Sequence, residues 1–122
     1  MYTSKLIRIL KTFDKKELKE LEKHIHSPVH YKRETCLPLF EVIKKAAPEF
    51  TSPKIKKENL LKTIYKRKGQ EKQLPVDMNT LTKITEQFLI YQTLDNHPFL
   101  QQHFLTENLL NRSEWGLAEG VY

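Results

Sequence analysis

A single cysteine, Cys36, stands in the 122 residues of this chain, so no internal disulfide framework exists and a reducing compartment fits. Glycine occurs only three times, too sparsely for the turn-rich β sandwiches and barrels. The same scarcity excludes a Gly-x-Gly-x-x-Gly dinucleotide loop, and no Walker-type phosphate loop is present. Apolar residues never run for the ~18 positions of a membrane-spanning helix. The opening Leu6-Ile7-Arg8-Ile9-Leu10 is interrupted by Arg8 and flanked by Lys5 and Lys11, which leaves no signal-peptide core. These absences lead to the expectation of a cytoplasmic protein with no membrane association.

What is present is charge and helical periodicity. The net charge is +6, spread unevenly. Residues 1–33 carry nine Lys/Arg against four Asp/Glu, a balance of +5, and residues 34–68 repeat that count. Residues 69–122 carry three against seven, a balance of −4. A basic first half suits nucleic acid, an acidic protein or simply water. Seventeen of the 21 cations are lysine, which weakens the nucleic-acid reading, since the arginine fork suits phosphate and base edges better.

Prolines at 28, 38, 48, 53, 75 and 98 separate segments with helical spacing. Leu6, Leu10 and Phe13 line a first helix. Asp14 and Glu17 form a capping-box pair ahead of Leu18, Leu21 and Ile25, in a second helix that ends near His26 or Ser27, before Pro28. Thr35 is placed to cap a third, with Leu37, Phe40, Ile43 and Ala47 inward. A fourth is predicted over Lys57–Lys68, closed by Gly69. Asp77 is expected to cap a fifth helix carrying Leu81, Ile84, Phe88, Leu89, Tyr91 and Leu94. A sixth begins at Pro98 with Leu100, Phe104, Leu105 and Leu109 inward. No stretch alternates long enough for a strand. The expected fold is therefore all-α, a compact bundle of about five to six short helices in one domain over residues 1–112. Residues 113–122 form a C-terminal tail or the start of a missing helix.

Catalytic chemistry finds no support in the pattern. His24 and His26 lie two apart, hence roughly 160° apart around a helix. No metal-ligand spacing of the Cys-x-x-Cys or His-Glu-x-x-His kind occurs, so no metal site and no cofactor are expected. Cys36, with His30 upstream, reads as a small buried hydrophobe. The glutamates of the second helix lie among lysines, as surface ion pairs do. The expectation is a non-enzyme.

Two surfaces carry the functional readings. Trp115, Leu117, Val121 and Tyr122 in the tail lack partners nearby in sequence. They mark contact with an unidentified protein partner or with missing C-terminal helices of the same chain. The alternative is a helix-turn-helix-like nucleic-acid binder. In it Lys54, Lys56, Lys57, Lys62, Lys66, Arg67, Lys68 and Lys72 meet phosphates, while Asn79, Thr80 and Lys83 enter a groove. The run Leu6-Ile-Arg-Ile-Leu-Lys-Thr-Phe-Asp-Lys-Lys-Glu-Leu18, with His26-Ser-Pro28, Lys32-Arg33 and Leu39-Phe-Glu-Val-Ile43, resembles the N-terminal region of a family of uncharacterised, largely helical proteins of the Bacteroidota. The resemblance runs over roughly residues 4–110 and implies a helical domain followed by further helices. It assigns no functional residue.

Overall fold

The computed structural model describes residues 4–28, 34–112 and 116. Among them are six α-helices and no strand: α1 (Lys5–Leu10), α2 (Lys15–Ile25), α3 (Cys36–Lys45), α4 (Lys57–Thr63), α5 (Gln73–Asp95) and α6 (Pro98–Asn111). The chain is all-α, as its periodicity predicts. Two short 3-10 turns, Pro53–Ile55 and Gln70–Lys72, precede α4 and α5. No described helix is long and apolar enough to cross a membrane. The chain divides into two units, Met1–Glu86 and Gln87–Tyr122. That division falls inside the stretch that the sequence presents as one domain, 1–112.

In the first unit local signals and burial agree. Ser4 caps α1, its hydroxyl accepting from the Ile7 N–H at 3.3 Å. Asp14 caps α2 with a complete capping box: its carboxyl accepts from the Glu17 N–H at 2.8 Å, and the Glu17 carboxyl accepts from the Asp14 N–H at 3.3 Å. Leu6, Ile7 and Leu10 of α1, Leu18, Leu21 and Ile25 of α2, and Leu39, Phe40 and Ile43 of α3 are all buried. Burying one such side chain contributes roughly 1.5–3 kcal/mol. Helices this short depend on such packing, because isolated helices below about 12–15 residues are marginal in water. Phe50, at φ 57, is buried despite a left-handed backbone, and Ala47–Pro48 is a cis bond.

Helix α1 ends at Leu10, ahead of Phe13, and one cap and two further boundaries also differ from the expectation, for physical reasons. Thr35 precedes α3, yet its side chain makes no capping bond to the helix; its hydroxyl donates to Asp77 instead. Helix α4 stops at Thr63 rather than at Lys68. Beyond it the Tyr65 N–H bonds the Leu60 carbonyl at 3.3 Å, and the Tyr65 ring is buried. Gly69 then adopts φ 87, a conformation that glycine takes without the strain of a Cβ. Helix α5 starts at Gln73, so Pro75 falls in its first turn, where a missing N–H is tolerated. Asp77 is thus not the N-cap. It lies inside α5, on the buried row Leu74, Asp77, Leu81, Ile84 and Phe88.

The second unit departs further. Helix α6 runs as predicted from Pro98, with His97 at the cap position. Its apolar side chains, however, do not point inward. Phe99, Leu100, Phe104 and Leu105 are exposed, as are Ile90 and Tyr91 of α5, while Leu109 is half-buried. Thr106 is the one buried residue of α6 among those described. Alternating turns of apolar and polar residues suit an inward or an outward face equally, and periodicity alone does not tell which face is covered.

Candidate functional site

Asp77 is fully buried and is the centre of a polar cluster drawn from three parts of the first unit. The Tyr65 hydroxyl donates to its Oδ2 at 2.6 Å, and the Thr35 hydroxyl donates to the same oxygen. The Cys36 Sγ–H, also buried, donates to Oδ1 at 3.2 Å. All three partners are donors, which is what an ionised carboxyl, an acceptor only, requires. Burial first, then the hydrogen bond and charge of Asp77, hold the Tyr65 phenol far above its ordinary pKa, so the ring stays protonated. The cluster ties the start of α3, the turn after α4 and the second turn of α5 to one buried group. Cys36 is buried, as a small hydrophobe is, and it also serves as a donor.

Beside this cluster lies an open cleft of about 520 Å³, bordered by Glu34, Thr35, Pro38, Thr63, Ile64, Lys66, Arg67 and Gln70. The Arg67 N–H bonds the Gln70 side-chain oxygen at 3.2 Å, which fixes one wall. Lys66 and Arg67 make that wall basic, with Glu34 as the opposing charge. Thr35 links the cleft to the Asp77 cluster, because its hydroxyl is one of the three donors.

The basic residues read from the sequence are all on the surface. Lys54, Lys56, Lys57, Lys62, Lys66, Arg67, Lys68 and Lys72 are exposed, as are Asn79 and Lys83, while Thr80 is half-buried. The structure does not assemble them into the expected motif. Residues 64–72 separate α4 from α5, a longer connection than the usual turn of about three or four residues. Because α5 begins at Gln73, Asn79, Thr80 and Lys83 lie beyond its first turn. A recognition helix presents its N-terminal residues to the bases. The Thr80 hydroxyl is also engaged, donating to the Val76 carbonyl at 3.0 Å.

A set of exposed apolar side chains is the second feature, and it lies in the 87–112 region. Phe99 is 86% exposed, Ile90 58% and Tyr91 54%, and Phe104 and Leu105 are each 50% exposed. A shallow groove of about 260 Å³ is lined by Leu89, Ile90, Thr93 and Leu94. On α6, His103 faces Glu107 at 3.7 Å and stands 5.6 Å from the Phe104 ring centroid. The Thr106 hydroxyl is buried with no hydrogen-bond partner among the described residues. The tail residues Trp115, Leu117, Val121 and Tyr122, and also His30, lie outside the described residues.

Sequence reasoning missed the Asp77 cluster because its members are far apart in the chain. The one available signal was an acid at a core position of the row beginning Leu74. Compared with protein-family models, with curated proteins and with solved structures, the chain finds no match.

Proposed function

We propose that this chain is a non-enzymatic helical interaction module that binds another protein through the exposed apolar side chains of residues 87–112. The observation that carries this reading is the exposure of Phe99, Ile90, Tyr91, Phe104 and Leu105. Large apolar side chains exposed together mark contact surfaces, and aromatic anchors dominate the energetics of such interfaces. The first unit acts as the scaffold, with the Asp77 cluster holding α3 and α5 in register.

The test is the wild-type chain immobilised beside a Phe99→Ser/Phe104→Ser variant and challenged with a soluble cell extract. The wild type is expected to retain a partner that the variant loses, with circular dichroism unchanged between the two. Retention of the same proteins by both would overturn the proposal.

A second reading rests on the exposed cations between Lys54 and Lys72, two of which, Lys66 and Arg67, wall the cleft. There the chain binds the phosphates of nucleic acid without reading sequence, since phosphate contacts position but do not specify. Its signature is a steep fall of duplex binding with salt. Replacing Lys66, Arg67 and Lys68 by glutamine should flatten that slope. Unchanged DNA binding by this triple variant would remove the second reading.

A further inference from the structure

We infer that Glu22, His26 and Glu41 form a binding site for a divalent transition metal of the zinc type, linking α2 to α3. Glu22 and His26 are one helical turn apart in the last part of α2 and at its cap, so they share a face. Glu41 comes from the middle of α3. One ligand atom from each lies within 4.8 Å of the other two. A tetrahedral zinc with bonds of about 2.1 Å needs ligand separations of roughly 3.4 Å, a gap that side-chain rotation closes. The mixed nitrogen and oxygen donor set suits a borderline ion better than calcium or magnesium, which prefer all-oxygen shells. Three protein ligands leave the fourth position to water.

The helices under these groups are packed into the core. Leu21 and Ile25 flank Glu22 and His26 in sequence and are fully buried, as are Phe40 and Ile43 around Glu41. The three ligands are therefore mounted on elements that the core holds in place. A positive charge already occupies the cluster, because the Lys44 ammonium pairs with the Glu22 carboxylate. Two carboxylates thus converge where a cation is stabilised. A zinc ion with two carboxylates and a neutral imidazole is electrically balanced, and Lys44 then swings out to solvent. The expectation that no metal site exists came from motif spacing within one segment. The third ligand here is supplied by a different helix.

The experiment titrates the metal-free full chain with zinc chloride by calorimetry and with cobalt(II) by visible absorption. One equivalent should bind, with the strong visible bands of a four-coordinate cobalt site. His26→Gln and Glu41→Gln should each weaken binding on the order of 100-fold, since even supporting groups of metal sites change affinity 10–100-fold. Lys44→Met should strengthen it about two- to fivefold, by removing the ammonium that competes for the half-buried Glu22 carboxylate. His103→Gln, which breaks the other His–Glu pair, should change nothing. Zinc should also raise the unfolding midpoint of the wild type and not that of His26→Gln. Binding insensitive to His26 and Glu41, weakened binding in Lys44→Met, or no binding tighter than millimolar would each overturn the site.

Discussion

Replacing Tyr65 by phenylalanine tests the Asp77 cluster directly, because it removes one hydroxyl and leaves the ring in place. The deleted bond is 2.6 Å long and ends on a fully buried carboxyl. Hydrogen bonds to charged groups contribute about 1.5–3 kcal/mol. Asp77 keeps Thr35 and Cys36 as donors, so the lower end applies, about 1.5–2 kcal/mol. For a chain of this size that lowers the thermal midpoint by roughly 6–8 °C. Urea unfolding followed by circular dichroism measures the difference with the slope unchanged. Asp77→Asn should lose more, because an amide must turn its NH₂ toward at least one of three donors. The double variant Tyr65→Phe/Asp77→Asn should lose less than the sum of the singles.

Alkali gives a second, independent readout of the same bond. The folded-state pKa of Tyr65 is raised above its ordinary value of 10.0. Below that value both folded and unfolded chains hold the phenol proton, and the full stabilisation is present. Above it the unfolded chain releases the proton and the folded chain does not. Stability therefore falls as pH rises past about 10, by up to about 1.4 kcal/mol per pH unit from this group. Tyr65→Phe should remove that share of the slope. A variant within about 0.5 kcal/mol of the wild type, with an unchanged alkaline slope, would refute the reasoning, since that is the range of ordinary surface substitutions.

Other substitutions probe the scaffold and the exposed face. Asp14→Ala removes a complete capping box and should cost about 1 kcal/mol in urea unfolding. Leu21→Ala, at a fully buried site in α2, should cost roughly 2–5 kcal/mol by the same assay. Phe99→Ser should leave stability within about 0.5 kcal/mol of the wild type, because this ring is 86% exposed. A large loss on Phe99→Ser would mean that the ring is packed in solution.

Much of the helical layout was legible from local chemistry. Apolar spacing placed Leu18, Leu21 and Ile25 on the buried side of α2, and Asp14 with Glu17 marked its start. Such signals act over three or four residues, within reach of one turn of chain. Asp77 shows where they fail. As an acid just after a proline it has the composition of an N-cap, and only the row Leu74, Leu81, Ile84 and Phe88 reveals that it occupies a core position. The metal cluster was hidden in a similar way, since Glu22 and His26 gain their third ligand from α3.

Taken alone, then, the order of residues determined that the chain is helical, where α2 and α6 begin, and that the basic residues between Lys54 and Lys72 face solvent. Those outcomes follow from backbone hydrogen bonding, capping and charge solvation, all of them short-range. Tertiary structure decided the rest: that Tyr65, Cys36 and Thr35 converge on Asp77, that α4 ends early, and that Phe99 and Phe104 stay uncovered. Each of these depends on which surfaces meet across long stretches of chain, and burial, unlike periodicity, belongs to the assembled fold.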